Sequence, residues 1–367
     1  MFCNQSFNGI SSIIVTLVVL VSYSGMQDSA IVNNIILVVN VAALIVGIII
    51  GLCYFKLENI SGMFDISLRE FTETVQLCFF VFLGYDNAAC FTEESKNPKK
   101  DIPFAMKAGL FVSISINSLL GFALLGMAGP NNLKTNFAFL NAFDAAGLKG
   151  IGYVITLGPL LGLLSALICG VNGVVKILYY MADDKLVYKG FMVLYGPKKV
   201  PLNSLLISGL LVLLFSSCLS LESLEETVSL CCLVEYTSVS IGLLLIKYKS
   251  NSNSSLIRLM IVAFVLLSYF VGLSIYYSLG YIVTVCTMVI LLLIGMAIKI
   301  QRVDVGESSN WIPFVPLLGG FLNIGFGGIL GFTPAMLIFV VYLGLCLVYY
   351  FTFSVKHSKL NMLSRIE

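Results

Sequence analysis

The stretch that decides the fold is residues 79–103, FFVFLGYDNAACFTEESKNPKKDIP. An apolar run is interrupted by a Gly-Tyr-Asp step, and two adjacent carboxylates and a basic turn follow it. Irregular backbone at membrane depth is tolerated only where it is buried in protein or lines a cavity. Gly84, with the polar Asp86 two residues later, therefore predicts a break inside a membrane helix.

A broken membrane helix has a chemical use. The carbonyl groups at the end of its first half carry partial negative charge and suit a cation or an ammonium group. The aromatic rings beside them offer cation–π contact or a gate. We predict that a substrate contacts Phe79, Phe80, Val81, Phe82, Leu83, Gly84, Tyr85 and Asp86. The alternative is that Gly84 is only a kink or a close-packing position.

Composition gives the class of protein. The chain of 367 residues is 59% hydrophobic and 11% charged, whereas soluble domains carry about 25% charged residues. We expect an all-α polytopic membrane protein with the lipid bilayer as its surroundings. The net charge of +2 argues against a nucleic acid partner. Ten cysteines without a CxxC pair and a single histidine predict no metal site, no cofactor and no enzyme activity.

Apolar runs long enough to span a bilayer recur along the chain. The sequence predicts eleven membrane helices, near residues 8–24, 30–54, 72–90, 104–128, 151–182, 202–220, 224–247, 256–276, 279–300, 312–331 and 333–353. Asn97-Pro98 is expected to end the third helix and Pro103 to begin the fourth.

Lys and Arg residues predict the orientation. The links after the odd-numbered runs and the C-terminal tail hold fifteen of them, against four in the links after runs two, four, six and eight. The first set is expected in the cytoplasm, together with the tail at residues 356–367. Two glycosylation sequons, at Asn4 and Asn59, then lie outside, and the one at Asn253 lies inside. Chance occurrence of these sequons is the alternative.

Four of the charged residues in or beside the apolar runs are candidates for function. Glu93 and Glu94 form either a proton-handling pair or part of the cytoplasmic mouth. Glu235 lies deep within its run, and a charge at the bilayer centre costs about 3 kcal/mol, so it is either functional or a protonated packing residue. Lys176 either serves the pathway, extends to the membrane surface, or pairs with Glu235.

The opening stretch resembles the sixth helix and following loop of the cationic amino-acid transporters, in the amino acid–polyamine–organocation superfamily. The positions that fit the family pattern are Phe79, Phe80, Gly84, Tyr85, Asp86, Ala89, Glu93, Glu94, Asn97, Pro98, Lys100, Ile102 and Pro103. Further similarities, such as ILYYMADDKLVYK and VSLCCLVEYTSVSIGLLLIKY, extend over essentially the whole chain.

The resemblance implies a LeuT-like inverted-repeat transporter fold. The eleven helices correspond to family helices four to fourteen in one domain, residues 1–355, with the second repeat near 72–247 and extra helices near 256–353. The first three family helices, which include the half-helix that binds the substrate carboxylate, are expected to be absent. A partner or a longer chain would have to supply them.

Three positions depart from the family. Asn40 stands where proton-coupled bacterial relatives have lysine, Lys176 where arginine is usual, and Glu235 where a small residue is usual. The resemblance implies transport of amino acids, cationic ones such as arginine, lysine and ornithine, by alternating access in the plasma membrane or an endomembrane. A truncated, non-transporting member that acts as a partner or scaffold subunit is the alternative.

Overall fold

The computed structural model describes residues 9–60, 67–130, 133, 138–218, 221–248, 254–277, 280–300, 314–329 and 334–359. Within these ranges the regular structure is helical, apart from one antiparallel bridge between Tyr195 and Val200. The prediction of an all-α, polytopic membrane fold is confirmed.

Thirteen α-helices lie in the described ranges. They are α1 (Gly9–Tyr23), α2 (Met26–Cys53), α3 (Leu68–Val81), α4 (Pro98–Ala128), α5 (Ala138–Ala145), α6 (Lys149–Asp183), α7 (Leu202–Cys218), α8 (Leu221–Lys247), α9 (Ser254–Tyr276), α10 (Tyr281–Ile300), α11 (Phe314–Ile329), α12 (Pro334–Tyr349) and α13 (Val355–His357). Short 3₁₀ segments cover Leu57–Ile60, Tyr85–Glu94 and Lys189–Met192, and one π-helical turn covers Tyr350–Ser354.

Six helical stretches among the described residues are long and apolar enough to cross a bilayer. They are Asp28–Cys53, Pro98–Ala128, Lys149–Asp183, Ser223–Lys247, Ser255–Tyr276 and Met336–Ser354. Four shorter apolar stretches are Ser12–Tyr23, Leu202–Ser216, Ile282–Ile298 and Phe314–Gly328. Each of the eleven predicted runs overlaps one of the α-helices, although within the third run the α-helix extends only as far as Val81.

One boundary prediction is wrong. The fourth helix begins at Pro98, and Pro103 lies inside it. A proline at the first helical position loses no hydrogen bond, because the amide of that position has no partner within a helix. Asp101 in the first turn accepts hydrogen bonds from Ser95 Oγ at 3.1 Å and from the Asn97 amide at 3.2 Å. These bonds hold the preceding turn and let the helix start early.

The chain divides into two compact units. The first contains residues 1–65, 82–220 and 346–367. Its core has two parts. One is built around Val18, Ile168 and Leu205, and the other around Met127, Phe143 and Ile155. The long helix α6 contributes to both parts.

The second unit contains residues 66–81 and 221–345. Its main core packs α8, α9, α10 and α11 around Leu244, Ile261, Leu291 and Leu317. A smaller cluster around Leu230 and Leu233 includes Phe79 of α3. The predicted single domain and the repeat near 72–247 are questions of family architecture and stay predictions.

Candidate functional site

The interrupted helix begins with a reciprocal cap. The Ser67 amide and hydroxyl donate to Glu70 Oε2 at 2.9 and 2.8 Å, and the Glu70 amide donates to Ser67 Oγ at 3.3 Å. This capping box satisfies amide groups that have no partner at a helix start. The hydrogen bonds from the Ser67 amide and hydroxyl lower the pKa of the Glu70 carboxyl. The first turn of α3 is therefore held in place before the helix enters the membrane.

The α-helix stops at Val81, and the chain crosses from the second unit to the first between Val81 and Phe82. Gly84 then adopts φ 102° and ψ −6°, a conformation that other residues rarely adopt. A Cβ at Gly84 would meet only Asn87 Nδ2, at 3.8 Å, among the described atoms. Close packing therefore does not explain this glycine, whereas its backbone conformation does.

After Gly84 the chain continues as a 3₁₀ segment that packs on α6 within the first unit. A Cβ on Gly173 would lie 2.9 Å from Asn87 Oδ1, so only glycine lets the segment approach α6 this closely. Three residues along α6, Lys176 Nζ lies 3.7 Å from the centre of the Phe91 ring. A cation this close to an aromatic face is attracted by the ring quadrupole. Two contacts one helical turn apart thus fasten the segment to α6.

Lys176 is buried, with only 4% of its surface exposed. It is seven residues before the end of α6, a helix of 35 residues. At 1.5 Å per residue, α6 is about 52 Å long, well beyond the roughly 30 Å of the hydrocarbon core. The helix can therefore place Lys176 near the membrane surface, but the side chain lies against Phe91 inside the protein. Its pairing with Glu235 stays a prediction.

A polar seam joins α2 to α6 in the first unit. Asn172 Nδ2 donates to Ser29 Oγ at 2.9 Å, and Ser165 Oγ donates to Asn33 Oδ1 at 2.7 Å. Further along, Gly162 leaves room for Asn40, whose Nδ2 would be 2.6 Å from a Cβ there. The side-chain oxygen of Asn40 is buried and has no hydrogen-bond partner among the described residues. The polar seam therefore ends at Asn40, which the sequence predicts to be a residue of the transport pathway.

Glu235 is on α8, in the second unit, where its side chain is exposed. Its side chain is not one of the buried residues of that unit's main core. Its neighbour Tyr236 contacts the ring of Phe79 edge-on, with the ring centres 6.3 Å apart. Phe79 is thus held within the second unit, close to the end of α3.

For several predicted site residues, the structure describes the backbone but not the side chain. The backbone of Tyr85, Asp86, Glu93 and Glu94 is part of the 3₁₀ segment, but their side chains lie outside the described part of the structure. Phe80, Phe82 and Leu83 are half-buried, and Val81 is exposed. The substrate contacts and the roles of Asn40, Glu93, Glu94, Lys176 and Glu235 stay predictions.

Sequence reasoning missed four residues that shape this region: Asn87, Phe91, Asp101 and Gly173. Asp101 has a local signal, because an acidic residue in the first turn of a helix is typical of a helix start. The contacts of Asn87 with Gly173, and of Phe91 with Lys176, join parts of the chain more than 80 positions apart in the printed sequence. No local pattern indicates such pairs.

Contacts within the first unit bring together segments that were predicted to share one side of the membrane. Lys198, in the link after α6, forms an ion pair with Asp28 and donates to the Ser24 carbonyl at 2.7 Å. Lys359 of the tail contacts Asp183 at 2.6 Å, and this hydrogen bond raises the pKa of the Lys359 ammonium. All these segments are predicted to be cytoplasmic. Which side of the membrane they face stays a prediction.

Of the two asparagines predicted to carry a glycan, only Asn59 is among the described residues. Asn4 lies outside the described residues. Asn59 is half-buried, and its Nδ2 donates to the Gly126 carbonyl at 2.8 Å. A glycan on Asn59 would occupy this same nitrogen, so modification has to precede or disturb this contact. Glycosylation at both positions stays a prediction.

Comparison with known proteins identifies the family. Residues 4–280, more than half of the chain, match the family model described as amino acid permease. The chain is 26% identical over 230 residues to cationic amino acid transporter 3, mitochondrial, of Arabidopsis thaliana, covering 61% of this chain and 38% of that protein. With cationic amino acid transporter 5 of the same plant, the identity is 24% over 354 residues, covering 91% of this chain and 62% of that protein.

A bacterial relative is similarly distant. The chain is 24% identical over 243 residues to the methylthioribose transporter of Bacillus subtilis (strain 168), covering 66% of this chain and 53% of that protein. The chain thus spans between 38% and 62% of the length of these three relatives. The family is one of permeases and not of enzymes, and the resemblance to cationic amino-acid transporters is confirmed. The chain belongs to the amino acid permease family and is an integral, multi-pass membrane protein.

Proposed function

We propose that this protein moves amino acids with cationic side chains across a membrane by alternating access. The observation that carries the proposal is the end of α3 at Val81, followed by the left-handed Gly84, inside the stretch 72–90 that the sequence predicts as one membrane helix. Membership of the amino acid permease family and the names of the plant relatives support it.

The end of α3 provides the chemistry for one part of an amino acid. The last four carbonyl groups of a helix have no partners within that helix. They form the negative end of the helix dipole, equivalent to about half an elementary charge. The carbonyls of residues 78–81 are in this position. We infer that they hold the α-ammonium group of the substrate.

The aromatic residues around the break have different roles in this proposal. Phe79 contacts Tyr236 and packs on the cluster of Leu230 and Leu233, so it supports the end of α3. Phe80 and Phe82 are half-buried on either side of the helix end. Their rings supply the apolar and cation–π contacts that favour a cationic side chain.

The ion dependence follows from Asn40. An amide does not ionise, so this position does not take up a proton as a lysine would. We infer that transport is not driven by a proton gradient. Arginine uptake into proteoliposomes should be unchanged when an inward proton gradient is imposed, and a gradient-dependent rise in accumulation would contradict this part of the proposal.

The decisive experiment is uptake into proteoliposomes by the protein expressed from its complete transcript. Labelled arginine should enter saturably, and unlabelled lysine and ornithine should compete. Leucine and methylthioribose should compete weakly. Saturable uptake of leucine or methylthioribose without arginine uptake would overturn the cationic specificity. No uptake of any of these compounds, with correctly folded protein in the vesicles, would overturn transport.

The membrane in which this happens belongs to the proposal as well. We infer the plasma membrane, whereas two plant relatives carry the words mitochondrial and vacuolar in their names. Surface biotinylation of cells that express a tagged protein should label the mature pool. Exclusive co-localisation with an internal membrane marker would contradict this assignment.

A further inference from the structure

An apolar groove of about 460 Å³ opens among α9, α10 and α11 in the second unit. Its lining residues are all apolar, and they include Phe264, Met288, Gly295, Met296, Leu317 and Phe321. Because Gly295 has no side chain, α10 leaves the groove open at this position. None of its lining residues belongs to α3 or to the 3₁₀ segment that follows it.

The position of the groove along the helices assigns it to one leaflet. Ser274 Oγ and Thr284 Oγ1 are 3.1 Å apart, so the end of α9 meets the start of α10 and the two helices are antiparallel. The groove begins at Phe314, the first residue of α11, and reaches Met288 in the middle of α10. From Met288 to Met296 is about 12 Å along a helix. This is close to half of the roughly 30 Å hydrocarbon core.

Basic residues surround the helix ends next to the groove. Only six residues separate α8 from α9 along the chain, and α9 and α10 are antiparallel, so the end of α8, the start of α9 and the end of α10 lie towards the same end of these helices. Tyr248, Ile257 and Ile298, at these helix ends, all belong to the buried cluster. Lys247 is the last residue of α8, and the exposed Arg258 is in the first turns of α9. A third basic residue, Lys299, lies in the last turn of α10. The positive-inside rule places this end in the cytoplasm, where the membrane surface is rich in anionic lipids.

We propose that the groove binds an acyl chain of an anionic phospholipid from the cytoplasmic leaflet, with the headgroup at Arg258 and Lys247. An acyl chain matches the apolar lining and the length of one leaflet. A phosphate or carboxylate matches the basic rim. A sterol would fill the apolar part but has no anionic group for the rim, and a zwitterionic phospholipid would gain less from it.

The first test locates the lipid on the unaltered protein in nanodiscs. A phosphatidylserine that carries a photoreactive diazirine in the middle of one acyl chain is mixed into phosphatidylcholine. Cross-links should map to peptides that contain residues 288–296 and 314–321. The matching phosphatidylcholine probe should label these peptides several-fold less. Equal labelling by both probes, labelling mainly elsewhere, or displacement by cholesterol but not by unlabelled phosphatidylserine would each overturn the proposal.

Two variants separate the acyl site from the headgroup site. A Cβ on Gly295 would contact Leu317 Cδ1 at 3.7 Å, an ordinary distance, so the rest of a leucine side chain would extend into the groove. Gly295→Leu should lower phosphatidylserine cross-linking at least fivefold. The control is Gly344→Leu on α12, where a Cβ meets nothing within 4 Å, and it should leave cross-linking unchanged. Equal effects of the two changes would overturn the site.

Arg258→Gln should reduce the preference for phosphatidylserine by about fivefold, since one basic residue near an anionic surface contributes about 1 kcal/mol. Labelling by the phosphatidylcholine probe should stay the same. An unchanged preference would overturn the headgroup assignment. This variant alters an exposed side chain, so it decides the question even where Gly295→Leu does not fold.

Discussion

Two regions of the molecule depend on glycine for opposite reasons. At Gly84 a Cβ would meet no described atom closer than Asn87 Nδ2 at 3.8 Å, but the backbone has φ 102°. Where α9 crosses α11, the backbone is regular helix, but a Cβ on Gly272 would lie 2.1 Å from the Gly325 carbonyl oxygen. One region uses glycine to bend the chain, and the other uses it to bring two helices into backbone contact.

The difference distinguishes a packed scaffold from a site. Small residues at helix crossings are a general means of association in lipid, where the hydrophobic effect does not draw helices together. A left-handed residue in the middle of an apolar run does not bring helices together in this way. It also costs free energy, which the surrounding structure has to offset. We therefore expect changes at the crossing to reduce the amount of folded protein, and changes at Gly84 to reduce function.

The largest effect on stability is expected from Gly272→Ala. The added methyl group would overlap a carbonyl oxygen of α11, and backbone cannot move aside as a flexible side chain can. Overpacking of this kind costs about 1–3 kcal/mol. The thermal unfolding temperature in detergent and the yield of monodisperse protein should both fall. The matched control is Gly327→Ala on α11, where a Cβ meets nothing within 4 Å. Equal behaviour of the two variants would contradict the backbone contact.

The next effect concerns the attachment of the 3₁₀ segment to α6. Lys176→Met keeps an unbranched side chain of similar length and removes its charge, so the cation–π attraction to Phe91 is lost. A cation–π contact contributes about 0.5–2 kcal/mol. Hydrogen exchange of residues 85–94 should become faster, by up to about thirtyfold, whereas Lys176→Arg should retain the protection. Unchanged exchange in Lys176→Met would show that Phe91 is held by other contacts.

A smaller effect is expected at the polar seam between α2 and α6. Asn33→Val removes the acceptor of Ser165 Oγ and the donor to Cys169 Sγ at 3.3 Å. Hydrogen bonds between membrane helices contribute about 0.6 kcal/mol on average and at most about 1.7. The unfolding temperature should fall slightly, and the exposed neighbour Asn34→Val is the control. A double-mutant cycle with Ser165→Ala should show coupling, and strict additivity would contradict the bond.

The smallest effect is the pH dependence of the cap on α3. The hydrogen bonds from Ser67 lower the pKa of Glu70 in the folded protein. A carboxyl with a lowered pKa stabilises the fold above its ordinary pKa of about 4.3, and this contribution is lost as the pH falls through the folded value. Glu70→Gln should therefore lower the unfolding temperature at pH 7. The difference from the parent protein should shrink as the pH falls through the folded-state pKa of Glu70, and a difference that does not change with pH would contradict it.

Local features could be predicted from the sequence, and contacts between distant segments could not. Apolar runs indicated the helices, and the Gly-Tyr-Asp step indicated the place of the break, because both are properties of a few neighbouring residues. The sequence predicts the start of α4 at Pro103, because Asn97-Pro98 is typical of a helix end and proline of a helix start. The earlier start at Pro98 goes with hydrogen bonds of Asp101 that depend on the shape of the preceding turn. The hydrogen bond between Asn33 and Ser165 requires that α2 and α6 be neighbours. No short sequence pattern predicts which helices are neighbours.

The site was predictable only in outline for the same reason. The conformation of Gly84 follows from its own position, but the attachment of the following segment depends on Gly173 and Lys176, far along the chain. The sequence leaves Glu235 as either a functional residue or a protonated packing residue, and its side chain is exposed on α8. Burial of a charged residue depends on which face of α8 meets a neighbour, and the pattern of this helix does not show that face.

The central claim is that the conformation at Gly84 serves transport, and Gly84→Ala tests it most directly. Among the described residues the methyl group would meet only Asn87 Nδ2, at 3.8 Å, so we expect the substitution to disturb the left-handed backbone, at a cost of about 1–3 kcal/mol. The control is Gly109→Ala on α4, a regular helical position where a Cβ meets nothing within 4 Å. The measurement is the initial rate of arginine uptake into proteoliposomes at equal amounts of folded protein. We predict that Gly84→Ala loses at least tenfold in rate and Gly109→Ala keeps the rate of the parent. Equal rates for all three proteins would contradict the account.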